Sequence, residues 1–219
     1  MPERMQRIAY FGGTFDPVHN GHLSIARALI DLFGLDRFFF LPAFHAPHKP
    51  DRQPTSGYHR FAMLCLATSL DPKISVSTLE LEKNEKRYTI DTLAELHAMH
   101  PGSRVFFVMG ADSWTDIRTW REWESVLLSA DHIVVTRPGY DISFDHVTDR
   151  VRERIVDLRL GRPAKLHDTS ERRIFITNAI QYDASATELR LDLSDGHLDR
   201  KEDIPVEVAE YITKYNLYT

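Results

Sequence analysis

The chain has 219 residues, 42% of them hydrophobic and 27% charged, with a formal net charge of −5. That length buries a core of good size, and that balance is an ordinary globular one. The acidic surplus argues against a general grip on nucleic acid while leaving room for a local positive pocket. No apolar run reaches the length of a membrane span and the first residues lack a signal-peptide pattern, so no membrane partner and a cytoplasmic location are expected. One cysteine, Cys65, excludes an intrachain disulfide; inside Phe61-Ala62-Met63-Leu64-Cys65-Leu66-Ala67 it reads as a small buried thiol.

Ile8-Ala9-Tyr10-Phe11 reads as a buried strand. After the stretch Gly12 to His22, Leu23 to Phe33 is apolar on a wide helical face and is stopped by Gly34. Arg37 to Leu41 is a second strand closed by Pro42. A proline-studded loop leads to a helix from about Tyr58 to Leu70, then a short strand, Lys73 to Ser77. Thr89 to Met99 is a helix ended by Pro101-Gly102. Arg104 to Met109 is a fourth strand, Trp120 to Leu128 a helix, and His132 to Thr136 a fifth strand. Val147 to Leu158 is expected as a charged helix and Arg173 to Thr177 as a sixth strand. Ser185 to Leu193 and Val206 to Tyr215 are closing helices, the second with Pro205 at its first turn.

Strands alternating with helices at this spacing imply an α/β fold: a Rossmann-like, doubly wound, mostly parallel sheet of about six strands, helices on both faces, and a small C-terminal helical part. One domain over 1–219 is expected, with a core over 1–180 and closing helices over 181–219. Ligands of such sheets sit beyond the carboxyl ends of the strands, near the switch in strand order. The chemistry-bearing residues follow strands: Gly12 to His22 the first, Pro42 to Lys49 the second, Gly110-Ala111-Asp112 the fourth, Arg137 the fifth. They are expected to converge.

Gly12-Gly13-Thr14-Phe15-Asp16-Pro17-Val18-His19-Asn20-Gly21-His22 joins a strand to a helix. Glycines permit a sharp turn and close approach of a charged ligand. The unsatisfied N–H groups and dipole of the new helix seat phosphate. His19 and His22, three apart at the helix start, share one face. A metal site is the alternative for the pair; polar capping of the turn explains Asn20 but not two histidines. Asp16-Pro17 alone reads as a turn former.

Gly12 to His22 resembles the signature of the H-x-G-H nucleotidyltransferases, and further matches are similar to the nicotinate-nucleotide adenylyltransferases of bacterial NAD synthesis. Ala46-Pro47-His48-Lys49 resembles the family's P-P-H-K loop, with alanine at its first proline. Arg87-Tyr88-Thr89-Ile90-Asp91-Thr92-Leu93 resembles S-Y-T-I-D-T-L, with arginine for serine. Gly110-Ala111-Asp112-Ser113 with Trp120 to Trp123, Arg137-Pro138-Gly139-Tyr140, and Ser185-Ala186-Thr187-Glu188-Leu189-Arg190 resemble G-A-D-S with W-x-x-W, R-P-G-Y, and S-S-T-x-I-R.

The resemblance implies that His19 and His22 are catalytic and contact the ATP phosphates. It implies ATP binding by Gly12, Gly13, Thr14, Phe15, Lys49, Gly110, Asp112, Ser185, Thr187 and Arg190. Nicotinate mononucleotide falls to His48, Tyr88, Thr89, Trp120 and Arg137: Trp120 stacks on the pyridine ring and the start of the Thr89 helix holds the carboxylate. Each has a bland alternative. His48 and Lys49 could be solvated, Thr89 a helix cap, Arg137 a surface residue, and Arg190 part of a capped amphipathic helix. Trp114 and Trp123 are expected to pack. The implied reaction moves AMP from ATP to nicotinate mononucleotide, giving nicotinate adenine dinucleotide and pyrophosphate. Mg²⁺ is expected on the ATP phosphates, with no protein metal site. A homo-oligomer stays open. Rival readings are an H-x-G-H enzyme for phosphopantetheine or for nicotinamide mononucleotide, and a nucleotide-binding regulator without turnover.

Overall fold

A computed structural model describes residues 4–44, 54–82, 87–136, 142–161, 171–178, 186–194 and 203–218. The strands are Arg7–Gly13 (β1), Arg37–Pro42 (β2), Ile74–Val76 (β3), Arg104–Gly110 (β4), Asp131–Val135 (β5), Ile155–Asp157 (β6) and Ile174–Thr177 (β7). The α-helices are Asn20–Phe33 (α1), Gly57–Thr68 (α2), Thr89–Met99 (α3), Ala111–Thr115 (α4), Trp123–Ser129 (α5), Asp149–Arg152 (α6), Ala186–Ser194 (α7) and Val206–Lys214 (α8). Among the described residues the strands form one sheet in the order β3-β2-β1-β4-β5-β7-β6, and every neighbouring pair is parallel.

The central strands are apolar throughout because both faces of a doubly wound sheet are covered. Successive side chains point to opposite faces. Ala9 and Phe11 therefore join a cluster with Phe38, Phe40, Phe106 and Val108, under Leu29 and Phe33 of α1 and Val208 and Ile212 of α8. Ile8 and Tyr10 face the other way, with Phe107 and Met109, under Leu93 and Leu96 of α3 and Val126 and Leu127 of α5. Slipping β1 by one residue would exchange these two sets, so its register is fixed by packing on both sides.

Chain order reverses at β1, which has β2 on one flank and β4 on the other. The crevice for ligand is therefore above the carboxyl ends of β1 and β4. Register places Phe11 beside Val108, which brings the ends of the two strands, Gly13 and Gly110, to the same edge.

Three expectations change. Val147 to Leu158 is not one helix: a single turn, α6, is followed by the edge strand β6 and the 3₁₀ turn Leu158–Leu160. Val147, Val151, Ile155 and Leu158 have helical spacing, but the β-branched pair Ile155-Val156 pairs with Ile174 and Phe175 of β7. The sheet thus gains a seventh strand. The helix expected from Trp120 begins at Trp123, because Glu122 takes a left-handed φ of 52° and Trp120 stays extended after a 3₁₀ turn, Ile117–Thr119. Cys65 is exposed, not buried: the buried face of α2 is carried by Arg60, Met63, Leu64 and Thr68.

Candidate functional site

The Gly12–His22 loop is shaped differently from a simple glycine turn. Gly12 and Gly13 are the last residues of β1 and have no left-handed φ; the left-handed position is Phe15, at φ 51°. The glycines are small because aromatic rings occupy the room a side chain would need. A Cβ on Gly12 would lie 2.7 Å from Phe107, and one on Gly13 would lie 2.8 Å from Phe15. Gly110, at the neighbouring strand end, has nothing within 4 Å of the equivalent point. A ligand can come closest to backbone there.

The Asp16-Pro17 peptide is cis, and His19 in extended conformation caps α1. The rings of His19 and His22 lie with centroids 3.7 Å apart and planes at 36°. Nδ1 of His22 accepts the backbone N–H of His19 at 3.3 Å. An Nδ1 that accepts puts the proton of a neutral ring on Nε2, which makes that edge the donor. Phe15 packs edge-on against His22 at 5.0 Å, so the left-handed Phe15 and the histidine pair are one packed unit. His19 is 6% exposed and His22 half-buried, so packing limits the rotamers of both rings.

A residue with no counterpart among the motifs holds this loop. Arg60 of α2 is fully buried, and its guanidinium donates to three backbone carbonyls: Thr14 at 2.6 Å, Ala43 at 2.7 Å and Thr55 at 2.8 Å. Burial lowers its pKa while the Asp16 carboxylate counters that shift. Arg60 thereby ties the Gly12–His22 loop to Ala43 on one side of residues 45–53 and to Thr55 on the other. The signal was present in the sequence: Arg60 lies three and four residues before Met63 and Leu64, on the apolar face of its helix.

Arg190 is brought to the same loop. Its Nη1 donates to the Asp16 carbonyl at 2.6 Å and its Nη2 to Thr187 Oγ1 at 3.1 Å. The α7 helix therefore reaches the Gly12–His22 segment directly.

The other half of the site is built on β4 and α3. Gly110 ends β4 and Asp112 lies exposed in the first turn of α4. Trp120 is half-buried, its ring 6.5 Å edge-on from Phe107, the ring that underlies Gly12. Trp114 is fully buried and donates its indole N–H to Ser143, while Trp123 packs against the same core cluster. Thr89 opens α3 and Tyr88 caps it in extended conformation. Arg121, also unforeseen, spans the two segments: its guanidinium lies 4.8 Å from the Tyr88 ring centroid and reaches Asp91 at 4.0 Å. Arg87, the departure from the family serine, is 8% exposed and pairs with Glu95 of α3 at 2.6 Å. It braces the helix rather than facing solvent. Glu80 accepts from Thr92 at 2.9 Å, and burial raises its carboxyl while Thr92 and Arg87 counter that.

His48, Lys49, Arg137 and Ser185, together with Ala46, lie outside the described residues. Among the described residues no group of three or more His, Cys, Asp or Glu side chains could hold a metal ion. No described helix is long and apolar enough to cross a membrane.

Residues 10–191 match the family model described as cytidylyltransferase-like. A probable nicotinate-nucleotide adenylyltransferase from Symbiobacterium thermophilum is 45% identical over 139 residues, 64% of this chain and 67% of that protein. One from Citrifermentans bemidjiense is 36% identical over 214 residues, covering 97% of this chain and 98% of the relative. Among solved structures, Plasmodium falciparum nicotinic acid mononucleotide adenylyltransferase complexed with NaAD superposes with a TM-score of 0.73 at 22% identity, over 97% of each chain. At that identity the likeness establishes the fold, and the site rests on the residues themselves.

Proposed function

The chain belongs to the cytidylyltransferase-like family of nucleotidyltransferases, and on that premise we propose that it is a nicotinate-nucleotide adenylyltransferase, joining AMP from ATP to nicotinate mononucleotide with release of pyrophosphate. The observation that supports the site assignment is the close His19–His22 ring pair at the start of α1, beside the β1–β4 switch point.

The 5′-phosphate oxygen of the mononucleotide is ionised at neutral pH and attacks the α-phosphorus of ATP in line, so no general base is needed. The protein then supplies position and charge complementarity. The Nε2 edge of His22 meets charge growing on the phosphates, and the helix start behind it adds its dipole. Arg190 and Thr187 approach from α7, and Lys49 and Ser185 add a charge and a hydroxyl for the same phosphates. Gly110 gives nucleotide room against the strand end, and Asp112 offers a carboxylate to ribose hydroxyls. Trp120 offers a flat face to the pyridine, with Tyr88, Thr89 and Arg137 on its anionic groups and His48 on the mononucleotide phosphate. A divalent cation, Mg²⁺, enters on the triphosphate, since that ion keeps its waters and needs few protein ligands.

The test is pyrophosphate release by the purified chain with ATP, Mg²⁺ and one mononucleotide at a time. Release with nicotinate mononucleotide well above that with the nicotinamide form is expected. Equal rates would refute the acid preference, and none with either would refute the reaction.

A further inference from the structure

We propose that Tyr218, in the segment that follows α8, is a positioning residue for the phosphate loop, holding Asp16 so that ATP can enter beside it. The hydroxyl of Tyr218 donates to Asp16 Oδ1 at 2.6 Å, across 202 positions of sequence. The other carboxylate oxygen, Oδ2, accepts the Thr55 amide at 3.3 Å. Each oxygen of a buried carboxylate thus has its own donor. The proposal rests on the adenylyltransferase reading above.

Asp16 is a negative charge within the very loop that must receive a polyphosphate. The short bond from Tyr218 and the longer one from the Thr55 amide offset that charge and fix the rotamer of its side chain. Its main-chain carbonyl takes Arg190, and Arg60 holds Thr14 two residues earlier, so Asp16 is where the loop meets three distant parts of the chain. His19 follows three residues later. Loss of the phenolic donor would leave Oδ1 buried and unmatched, free to turn toward the cationic groups meant for ATP.

The segment is built for this contact. Asn216 and Tyr218 both take left-handed φ, 48° and 66°, and the Leu217 amide turns back to Ile212 at 3.1 Å. Tyrosine enters that conformation at a cost, so other contacts must hold it there. Leu217 and Tyr218 pack on the cluster that contains Phe15 and α1. Burial and the Asp16 charge both raise the Tyr218 phenol, which keeps it an O–H donor across the working pH range. Nothing in the spacing of the sequence announces the pair.

Linkage makes the proposal testable from both sides: if the docked segment favours ATP, then ATP favours the docked segment. With Tyr218→Phe, KM for ATP should rise roughly tenfold, the cost of a hydrogen bond to a charged group. KM for nicotinate mononucleotide should stay within about twofold, because a purely structural defect would move both together. Amide exchange in the peptide covering α8 to Tyr218 should slow when a non-hydrolysable ATP analogue is added to the native chain, and should not respond in Tyr218→Phe. Tyr215→Phe, which removes an exposed hydroxyl nearby, should behave as the native chain. Equal protection in both chains, or KM values that rise together with a lowered melting temperature, would overturn the assignment. A native chain inert toward nicotinate mononucleotide would overturn the reaction instead, and the exchange measurement alone would then decide the role of Tyr218.

Discussion

The two ends of the site are held by different physics. At the end proposed for phosphate, the loop from Gly12 to His22 is fastened by buried groups: a fully buried Arg60 on three carbonyls, Asp16 with a donor to each oxygen, and rings filling the space at Gly12 and Gly13. At the end proposed for pyridine, Tyr88, Trp120 and Arg121 are half-buried or exposed, and the ion pairs of Arg121 are long and exposed. Buried polar groups must be satisfied in one geometry, whereas exposed pairs contribute little and can rearrange. The triphosphate is common to every reaction of this kind, so its seat can be rigid. On the proposed reading, discrimination between mononucleotides falls to the softer end, which is also where Arg87 departs from the family pattern.

The strongest way to break this contrast is Arg60→Met. It orphans three carbonyls, a loss of ~3 kcal/mol at about one per hydrogen bond, and should lower the urea midpoint and activity together. A stable, active Arg60→Met protein would mean that the loop holds itself. His22→Ala comes next: turnover should fall about a hundredfold, as for removal of other charge-stabilising donors, with the urea midpoint little changed. A fall in stability without that loss of turnover would reduce the histidine to a cap.

Arg121→Ala should act only at the pyridine end, raising KM for nicotinate mononucleotide by about threefold while KM for ATP holds, in line with the small worth of exposed charges. An equal rise for the nicotinamide form would show that Arg121 senses the ring or phosphate rather than the carboxylate. The smallest effect is expected of Glu80→Gln. Because the folded chain raises the Glu80 carboxyl, the native state holds its proton more tightly than the unfolded one. Native stability should therefore decline as pH rises through the ordinary carboxylate range, and the variant should escape that decline. The two urea midpoints should agree at about pH 3, below the ordinary carboxylate range, where the carboxyl is protonated in both states, and separate in favour of the variant at pH 7. The opposite order would mean that the Arg87 and Thr92 contacts outweigh burial.

Local pattern carried most of the fold into view. Thr89 to Met99 is a helix with the expected ends, and five of the six anticipated strands overlap their apolar runs by nearly their whole length, because a two-sided sheet writes itself as continuous Phe, Val and Ile. Where pattern and pairing conflict, pairing won: Ile155-Val156 sits in a helical repeat yet completes the sheet edge beside β7. The glycine pair was visible, but not that it would accommodate Phe107 and Phe15 while Phe15 itself made the turn. Contacts such as Arg60 to Ala43 or Arg190 to Asp16 join residues with no fixed spacing, so only the folded chain reveals them.

β1 is flanked on both sides by long neighbours, and His19 hangs from its end. A strand in that place releases its amides only when the whole molecule comes apart, so the Gly12–His22 loop leaves from an anchor that local fluctuation does not loosen. The candidate site thus has its loop rooted in the least yielding element of the fold, and any motion that turnover demands has to be made by the parts around that root.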